Sequence, residues 1–215
     1  MLSLSSRINR RAWVSGWLAC CLLAALCLPV GARAQSAELA GVHYPPAQKL
    51  GGQTAVLNGS GISYRAVAKF FTVGLYTPRK SDKASVILGE SGPRQLRFVM
   101  LQGARIDELA KLITTGIESN SSREEFFALI PAIRKMGDQF APLPRLAKGH
   151  VITIDWVPQQ GTVFALNGTP MGPAIEDARF FNAVLRVWLG EHPYSEVLKD
   201  ALLSFTPPPV LNALD

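Results

Sequence analysis

The stretch VITIDWVPQQGTVFALNG, residues 151–168, predicts a β-hairpin. Residues 151–157 are mostly β-branched and aromatic, a composition that favours a strand. Residues 158–161 form the turn, and residues 162–166 form the return strand. Asn167 and Gly168 end this strand and are a strong hairpin signal, because both residue types accept a positive φ angle. The stretch therefore predicts antiparallel pairing.

Two helices are predicted after this hairpin. Apolar residues recur at helical spacing over residues 178–189, and Gly190 ends this helix as a C-cap residue does. Pro193 is predicted to begin the last helix, because proline suits a first helical turn. The residues expected to face inward are Phe180, Phe181, Val184, Leu185, Trp188, Val197, Leu198, Leu202 and Leu203.

Strands dominate the sequence before the hairpin. Residues 57–61, LNGSG, predict a turn after a short strand. Residues 62–77 are rich in aromatic and β-branched side chains and predict one long strand or a tight hairpin, which Pro78 ends. Residues 95–100 alternate between polar and apolar, as a half-buried strand does.

Helical patterns lie between these strands. Residues 84–89 predict a short helix, and Asp107 is suited to the N-cap or first turn of a second helix. Ser122 and Glu125 have the spacing of a capping box at the start of a third. Strands, helices, a hairpin and further helices in this order predict an α+β fold, with an antiparallel sheet packed against helices.

Residues 1–34 predict a secretory signal peptide. Three arginines and no acidic residue precede an apolar run over residues 17–30, and Ala32-Arg33-Ala34 is a small-x-small cleavage site. We expect cleavage after Ala34 and a periplasmic protein. The general secretory route is favoured over the twin-arginine route. An uncleaved anchor is the alternative, but the run is shorter than the roughly 20 residues of a spanning helix.

The composition after residue 34 excludes several classes of site. All three cysteines lie in the leader, so we expect no disulfide and no thiolate metal site. His43, His150 and His192 lack metal-ligand spacing, and no nucleotide-binding or nucleophile motif occurs, so no metal or cofactor is predicted. The leader holds four of the 22 Lys+Arg and none of the 16 Asp+Glu, which leaves +2 and argues against nucleic-acid binding. No later apolar stretch approaches the length of a membrane span.

Several short stretches of the sequence are informative when taken together. They are NGSG at 58–61, FFTVGLY at 70–76, GHVITI at 149–154, Gly161-Thr162, Asn167-Gly168, Phe180 with WLG at 188–190, and Pro193 with Leu198-Lys199. These stretches resemble the chalcone isomerase-like family, in the family's order, over roughly residues 50–204, and the resemblance is closest to the bacterial, secreted branch. The predicted organisation is therefore a signal peptide (1–34), an extended lead-in (35–52), a chalcone isomerase-like domain (53–205) and a Pro-rich tail (206–215).

The resemblance implies a ligand cleft between the sheet and the helices. Plant chalcone isomerases close a ring when a phenolate attacks an enone, and an arginine holds the phenolate. Related plant proteins of this fold bind fatty acids and use an arginine and a tyrosine for the carboxylate. The fold alone does not carry either activity over to this chain.

The catalytic pattern of the family is not matched residue by residue. Ser63 stands where the family has its arginine, and Arg65 lies two residues further along, on the same face of a regular strand. Phe71 replaces the strand threonine, and Val187 replaces the threonine or serine of the late helix. These four residues are the predicted ligand-binding residues, and no catalytic residue is assigned.

Other positions of the family pattern are weaker. No tyrosine occurs between Tyr76 and Tyr194, so the helical tyrosine has no counterpart, and Asn120 is the only asparagine of the helical stretch. Phe71 and Val187 either line the cleft or belong to the core. Arg65 either faces solvent or anchors a carboxylate at the cleft, for which its forked guanidinium is suited.

Three functions follow from this pattern. The first is a binding protein for a small apolar acid, such as a fatty acid, which Arg65 anchors. This function is favoured over a catalytic one. The second is an intramolecular lyase or isomerase acting on an enone. The third is a periplasmic protein-interaction domain whose cleft its own side chains fill. A cleft that is open beside Arg65 separates the first two from the third.

Overall fold

The computed structural model describes residues 37–143 and 145–204. The predicted signal peptide and the Pro-rich tail lie outside these residues. The described elements are, in chain order, β1 (Ala37–Leu39), β2 (Val42–Tyr44), β3 (Ala47–Leu50), β4 (Gln53–Arg65), β5 (Ala68–Thr77), α1 (Ala84–Gly89), β6 (Arg94–Met100), β7 (Ala104–Arg105), α2 (Ile106–Ser119), α3 (Arg123–Phe140), β8 (Arg145–Leu146), β9 (Val151–Val157), β10 (Gly161–Leu166), β11 (Thr169–Pro170), α4 (Ala178–Leu189) and α5 (Glu196–Leu203).

The hairpin of residues 151–168 is confirmed as β9 and β10, with Val157 opposite Gly161 and Ile152 opposite Leu166. It belongs to a seven-stranded sheet of order β11-β10-β9-β6-β5-β4-β3, in which every neighbouring pair is antiparallel. Helices pack against one face of this sheet. The α+β fold predicted from the sequence is therefore correct.

Helix α4 is the centre of the main core. It contacts α1, α2, α3, α5 and β10, and its aromatic residues lie among the inward side chains of the sheet. The Phe98 and Trp188 rings, for example, are 5.1 Å apart. The strand residues of this face include Phe71, Val73, Leu75, Leu96, Phe98, Ile152, Ile154 and Phe164. Burial of these side chains is the main favourable term in folding.

The opposite face of the sheet is covered by the hairpin of β1 and β2. The Tyr44 hydroxyl donates to Thr72 Oγ1 at 2.7 Å, and the Tyr44 ring lies on Gly74, where a Cβ would be 2.5 Å from Tyr44 Cδ1. Burial raises the pKa of Tyr44, so its hydroxyl stays protonated. The segment predicted as an extended lead-in thus contains three short strands, two of which form this cover.

The turn predicted at residues 57–61 is wrong. These residues continue β4, with a register shift at Asn58. The side-chain Nδ2 of Asn58 donates to the backbone carbonyls of Ser81 (3.0 Å) and Leu202 (2.8 Å). The glycines serve close packing instead. A Cβ on Gly59 would lie 2.4 Å from the carbonyl oxygens of Ala201 and Leu202, so only glycine lets α5 approach β4.

The helix ends differ from the prediction at one place. Ser122 caps α3 as predicted, because its side chain accepts a hydrogen bond from the backbone amide of Glu125. Of the two structures predicted for residues 62–77, one long strand or a hairpin, the protein has the hairpin of β4 and β5. The last helix, however, begins at Glu196 with Ser195 as its cap. Pro193 instead lies in the loop of residues 190–195, since the Ser195 side chain supplies the cap that starts the helix.

Candidate ligand-binding site

An open cavity of about 550 Å³ lies between the sheet and the helices. Its volume is in the range of small-molecule sites. The walls come from strands β4 to β9, helices α2 and α4, and the loop 190–195, and most of the wall residues are apolar. The lining residues are Tyr64, Arg65, Phe70, Phe71, Phe98, Met100, Ala104, Glu108, Leu109, Lys111, Leu112, Thr115, Gly116, Ser119, Leu146, Ile152, Val187, His192, Pro193 and Tyr194.

Two consecutive phenylalanines of β5 both line the cavity. Ser63 pairs with Phe71 and Tyr64 pairs with Lys69, so Phe70 is the extra residue of a β-bulge. The two phenylalanine rings are 5.2 Å apart. Regular alternation would turn one of them to the opposite face. The sequence prediction therefore included Phe71 and missed Phe70, because a bulge depends on pairing with another strand.

Arg65 lies at the mouth of the cavity, but it is not a free cation. Its Nη2 donates to Glu108 Oε2 at 2.5 Å, and the two side chains are 51% and 42% exposed. Its guanidinium carbon also lies 3.9 Å from the centroid of the Phe70 ring. Glu108, in the first turn of α2, thus competes with a ligand for the predicted anchor. Lys111, one turn further along α2, lines the same mouth.

Ser63 does not line the cavity, and its hydroxyl meets a residue that the sequence prediction missed. Ser63 Oγ lies 3.1 Å from the hydroxyl of Tyr194, and the Tyr194 ring stacks on Phe71 with centroids 6.1 Å apart. Tyr194 thereby closes one side of the cavity. Its position in sequence, in the loop before α5, gave no sign of contact with β4 and β5, which lie more than a hundred residues earlier.

Val187 and Phe71 are both buried core residues and cavity walls. Val187 of α4 faces α2 at Gly116, where a Cβ would lie 2.5 Å from Val187 Cγ1. Gly116 therefore sets the distance between the two helices beside the cavity. The sequence left open whether Phe71 and Val187 belong to the core or line the cleft. Both side chains are part of the core and also line the cavity.

Asn120 holds the loop 190–195 against the end of α2. Its Oδ1 accepts from the amide of His192 at 2.9 Å, and its Nδ2 donates to the His192 carbonyl at 2.7 Å. The loop places His192, Pro193 and Tyr194 on the rim of the cavity. The role of Asn120 in this molecule is thus to position the loop.

The described residues limit the chemistry of this site in two ways. Within residues 37–143 and 145–204, no group of three or more histidine, cysteine or acidic side chains is arranged to hold a metal ion. In the same part of the chain, no helix has the length and apolar character needed to cross a membrane. The cavity itself offers apolar walls and a charged pair at its mouth, an arrangement suited to an amphipathic ligand.

The comparisons with known proteins agree with this architecture. The chain is similar in structure to a fatty-acid binding protein from Arabidopsis thaliana, with a TM-score of 0.61 and 14% sequence identity, over 79% of this chain and 96% of that one. At this identity the likeness shows the fold. No curated protein matches the sequence. The sequence model of the chalcone isomerase-like family matches residues 36–204. Since this match spans most of the sequence, the chain belongs to the chalcone isomerase-like family.

Proposed function

We propose that this protein is exported to the periplasm, as a secreted bacterial member of its family, and binds a small apolar acid there. A fatty acid is the ligand class that the site fits best. The observation that carries the proposal is the open apolar cavity with Arg65 at its mouth. The basic, apolar and small-x-small pattern of residues 1–34 supports the export.

The walls of the cavity favour an alkyl chain. Phe70, Phe71, Phe98, Met100 and Ile152 present aromatic and aliphatic surface, and burial of each CH₂ group is worth about 0.8 kcal/mol. The similar plant structure is that of a fatty-acid binding protein, which is consistent with this ligand class. The open cavity also weighs against an interaction domain whose cleft is filled by its own side chains.

The acid group of the ligand is expected to bind at Arg65. The guanidinium presents parallel N–H donors that match a carboxylate, and it is half-exposed at the mouth. A ligand carboxylate would replace Glu108 as its partner. Exchange of one carboxylate for another is feasible because an exposed ion pair contributes only about 0–1 kcal/mol.

The lyase alternative has less support. The family's nucleophile-holding arginine is Ser63 here, and the Ser63 hydroxyl faces Tyr194. At the position of the family's strand threonine this chain has Phe71, whose side chain has no polar group. An enzyme of this type would need Arg65 to hold a phenolate.

The proposal is tested by native mass spectrometry of the protein purified from the periplasm. The mass of the free polypeptide reports whether the chain begins at Gln35. Wild type is compared with Arg65→Ala and with Arg105→Ala, a control in which the arginine is paired with Asp107 and does not line the cavity.

We expect wild type and Arg105→Ala to carry or take up a fatty acid, and Arg65→Ala to lose it. No uptake by any of the three would refute the ligand class. Equal uptake by all three would refute the anchor. Turnover of a chalcone that Arg65→Ala abolishes would favour the lyase instead.

A further inference from the structure

The tip of the hairpin between β4 and β5 is an exposed apolar point flanked by cations. Ala66, Val67 and Ala68 are all exposed, and Val67 is 96% exposed. Arg65 and Lys69 flank them, and no acidic residue occurs between Gly59 and Lys80. A tip of this composition is not explained by packing within the fold.

The backbone of the tip adds a second observation. Arg65 pairs with Ala68, which leaves Ala66 and Val67 as the loop. Ala66 has φ of 54°, in the left-handed region where glycine or asparagine is more stable. The chain thus keeps an apolar pair at a turn that polar residues would stabilise better, and such a local conflict is a reason to look for function.

The tip lies next to the mouth of the cavity, because Tyr64, Arg65 and Phe70 lead from it into the cavity wall. Tyr64 and Tyr194 are 46% and 40% exposed at this mouth, and tyrosine is enriched at membrane–water interfaces. The acids of the adjoining α2 turn, Asp107 and Glu108, are each paired with an arginine.

Cations remain at this end of the molecule. Within the described residues, Lys69 beside the tip and Lys111 at the mouth are exposed, and the salt bridges found there include neither of them. Anionic lipid surfaces attract such side chains by about 1 kcal/mol each. Their aliphatic stems can also lie along the lipid while the ammonium groups reach the phosphates.

We propose that the hairpin tip, residues 66–68, inserts into the headgroup region of an anionic lipid bilayer and directs the cavity mouth toward it. An apolar acid then passes between bilayer and cavity without crossing water. The passage of the ligand rests on the proposed function, whereas the docking itself does not.

The test is co-sedimentation of the purified periplasmic protein with phosphatidylcholine vesicles that contain or lack phosphatidylglycerol. Val67→Asp is expected to weaken binding to the anionic vesicles at least about tenfold, from the lost burial of one side chain. Lys69→Gln is expected to weaken it about fivefold. The control is Phe127→Asp on α3, a 53% exposed aromatic residue away from the cavity wall, which should change nothing.

The docking proposal is overturned if wild type does not bind the anionic vesicles, or if Phe127→Asp weakens binding as much as Val67→Asp. A separate measurement distinguishes this failure from a failure of the ligand proposal. Val67 does not line the cavity, so Val67→Asp should take up fatty acid in solution as wild type does in native mass spectrometry. Loss of docking with unchanged uptake is the result we expect.

Discussion

The side chain of Asn120 holds both backbone polar groups of His192, at 2.9 Å from the amide and 2.7 Å from the carbonyl. The same Nδ2 donates to the Gly116 carbonyl at 2.9 Å. One amide thus joins the end of α2 to the loop that carries Tyr194. The shape of the cavity depends on this junction, because both connected segments are walls of it.

Asn120→Ala is expected to loosen the loop. It removes three hydrogen bonds, each worth roughly 1 kcal/mol, so we expect a loss of about 1–3 kcal/mol in the free energy of unfolding. Amide hydrogen exchange should accelerate at residues 190–195, and fatty-acid affinity should fall as Tyr194 loses its position. Urea denaturation and exchange mass spectrometry measure these effects. Unchanged exchange in the loop would contradict this role of Asn120.

Glu108→Gln is expected to raise the affinity for acids. The substitution removes the carboxylate that occupies Arg65, and an exposed pair of this kind is worth up to about 1 kcal/mol, or about fivefold in affinity. Titrations with a fatty acid and with the alcohol of the same chain length measure the effect, which should be confined to the acid. Glu118→Gln, on the same helix but outside the cavity wall, is the control. Equal gains for acid and alcohol would argue against competition at Arg65.

Gly116→Ala is expected to destabilise the fold by about 1–3 kcal/mol, since its Cβ would overlap Val187 Cγ1 and overpacking of a core is unfavourable. Val187→Ala in the same chain should restore part of this loss by removing the methyl groups concerned. A double-mutant cycle by urea denaturation gives the coupling, expected at about 0.5–3 kcal/mol. If the losses of stability of the two single variants simply add in the double variant, the Gly116 position and Val187 do not limit the approach of α2 to α4.

The stability of the protein is expected to fall as pH rises from about 4 to about 6, because of Asp155. Burial raises the pKa of this carboxyl to about 6, against the opposing effect of hydrogen bonds from Gln95 and Thr153. Because the folded-state pKa lies above the unfolded value of about 3.9, the fold favours the protonated form. The contribution is fully present below about pH 4, and ionisation removes it as pH rises through the folded pKa.

Asp155→Asn removes this pH dependence while leaving an amide that can take part in both hydrogen bonds. We expect the variant to be more stable than wild type at pH 8, by on the order of 1–3 kcal/mol, and to show no advantage at pH 4. Urea denaturation across this range measures the difference. Asp200→Asn, an exposed position on α5, is the control. A constant difference at every pH would exclude titration of Asp155 as the cause.

The sequence predicted the elements whose signals are local. The β9–β10 hairpin follows from its β-branched and aromatic composition and its turn residues, α4 from its apolar period, and the start of α3 from the Ser122 cap. Each of these signals acts over a few residues, so the chain carries it before any tertiary contact forms. For Arg65 the sequence left two alternatives open, solvent or the cleft, and its role as a carboxylate anchor stays a prediction.

Local signals gave the wrong prediction where contact with a distant segment sets the backbone conformation. Gly59 and Gly61 resemble turn residues, but they lie in β4 and admit α5, which is about 140 residues later in the chain. Phe70 enters the cavity wall because β4 pairs with β5 through a bulge.

The amino-acid sequence by itself thus determined the helices, the β9–β10 hairpin, the α+β class and the residue types available for a ligand. The tertiary structure decided which of those residues meet. It placed Glu108 on Arg65, the Tyr194 hydroxyl beside Ser63, and Asn120 on the backbone of His192. Periodicity and capping act within one element, whereas these contacts join segments 43 to 131 residues apart and exist only once the sheet and helices have packed.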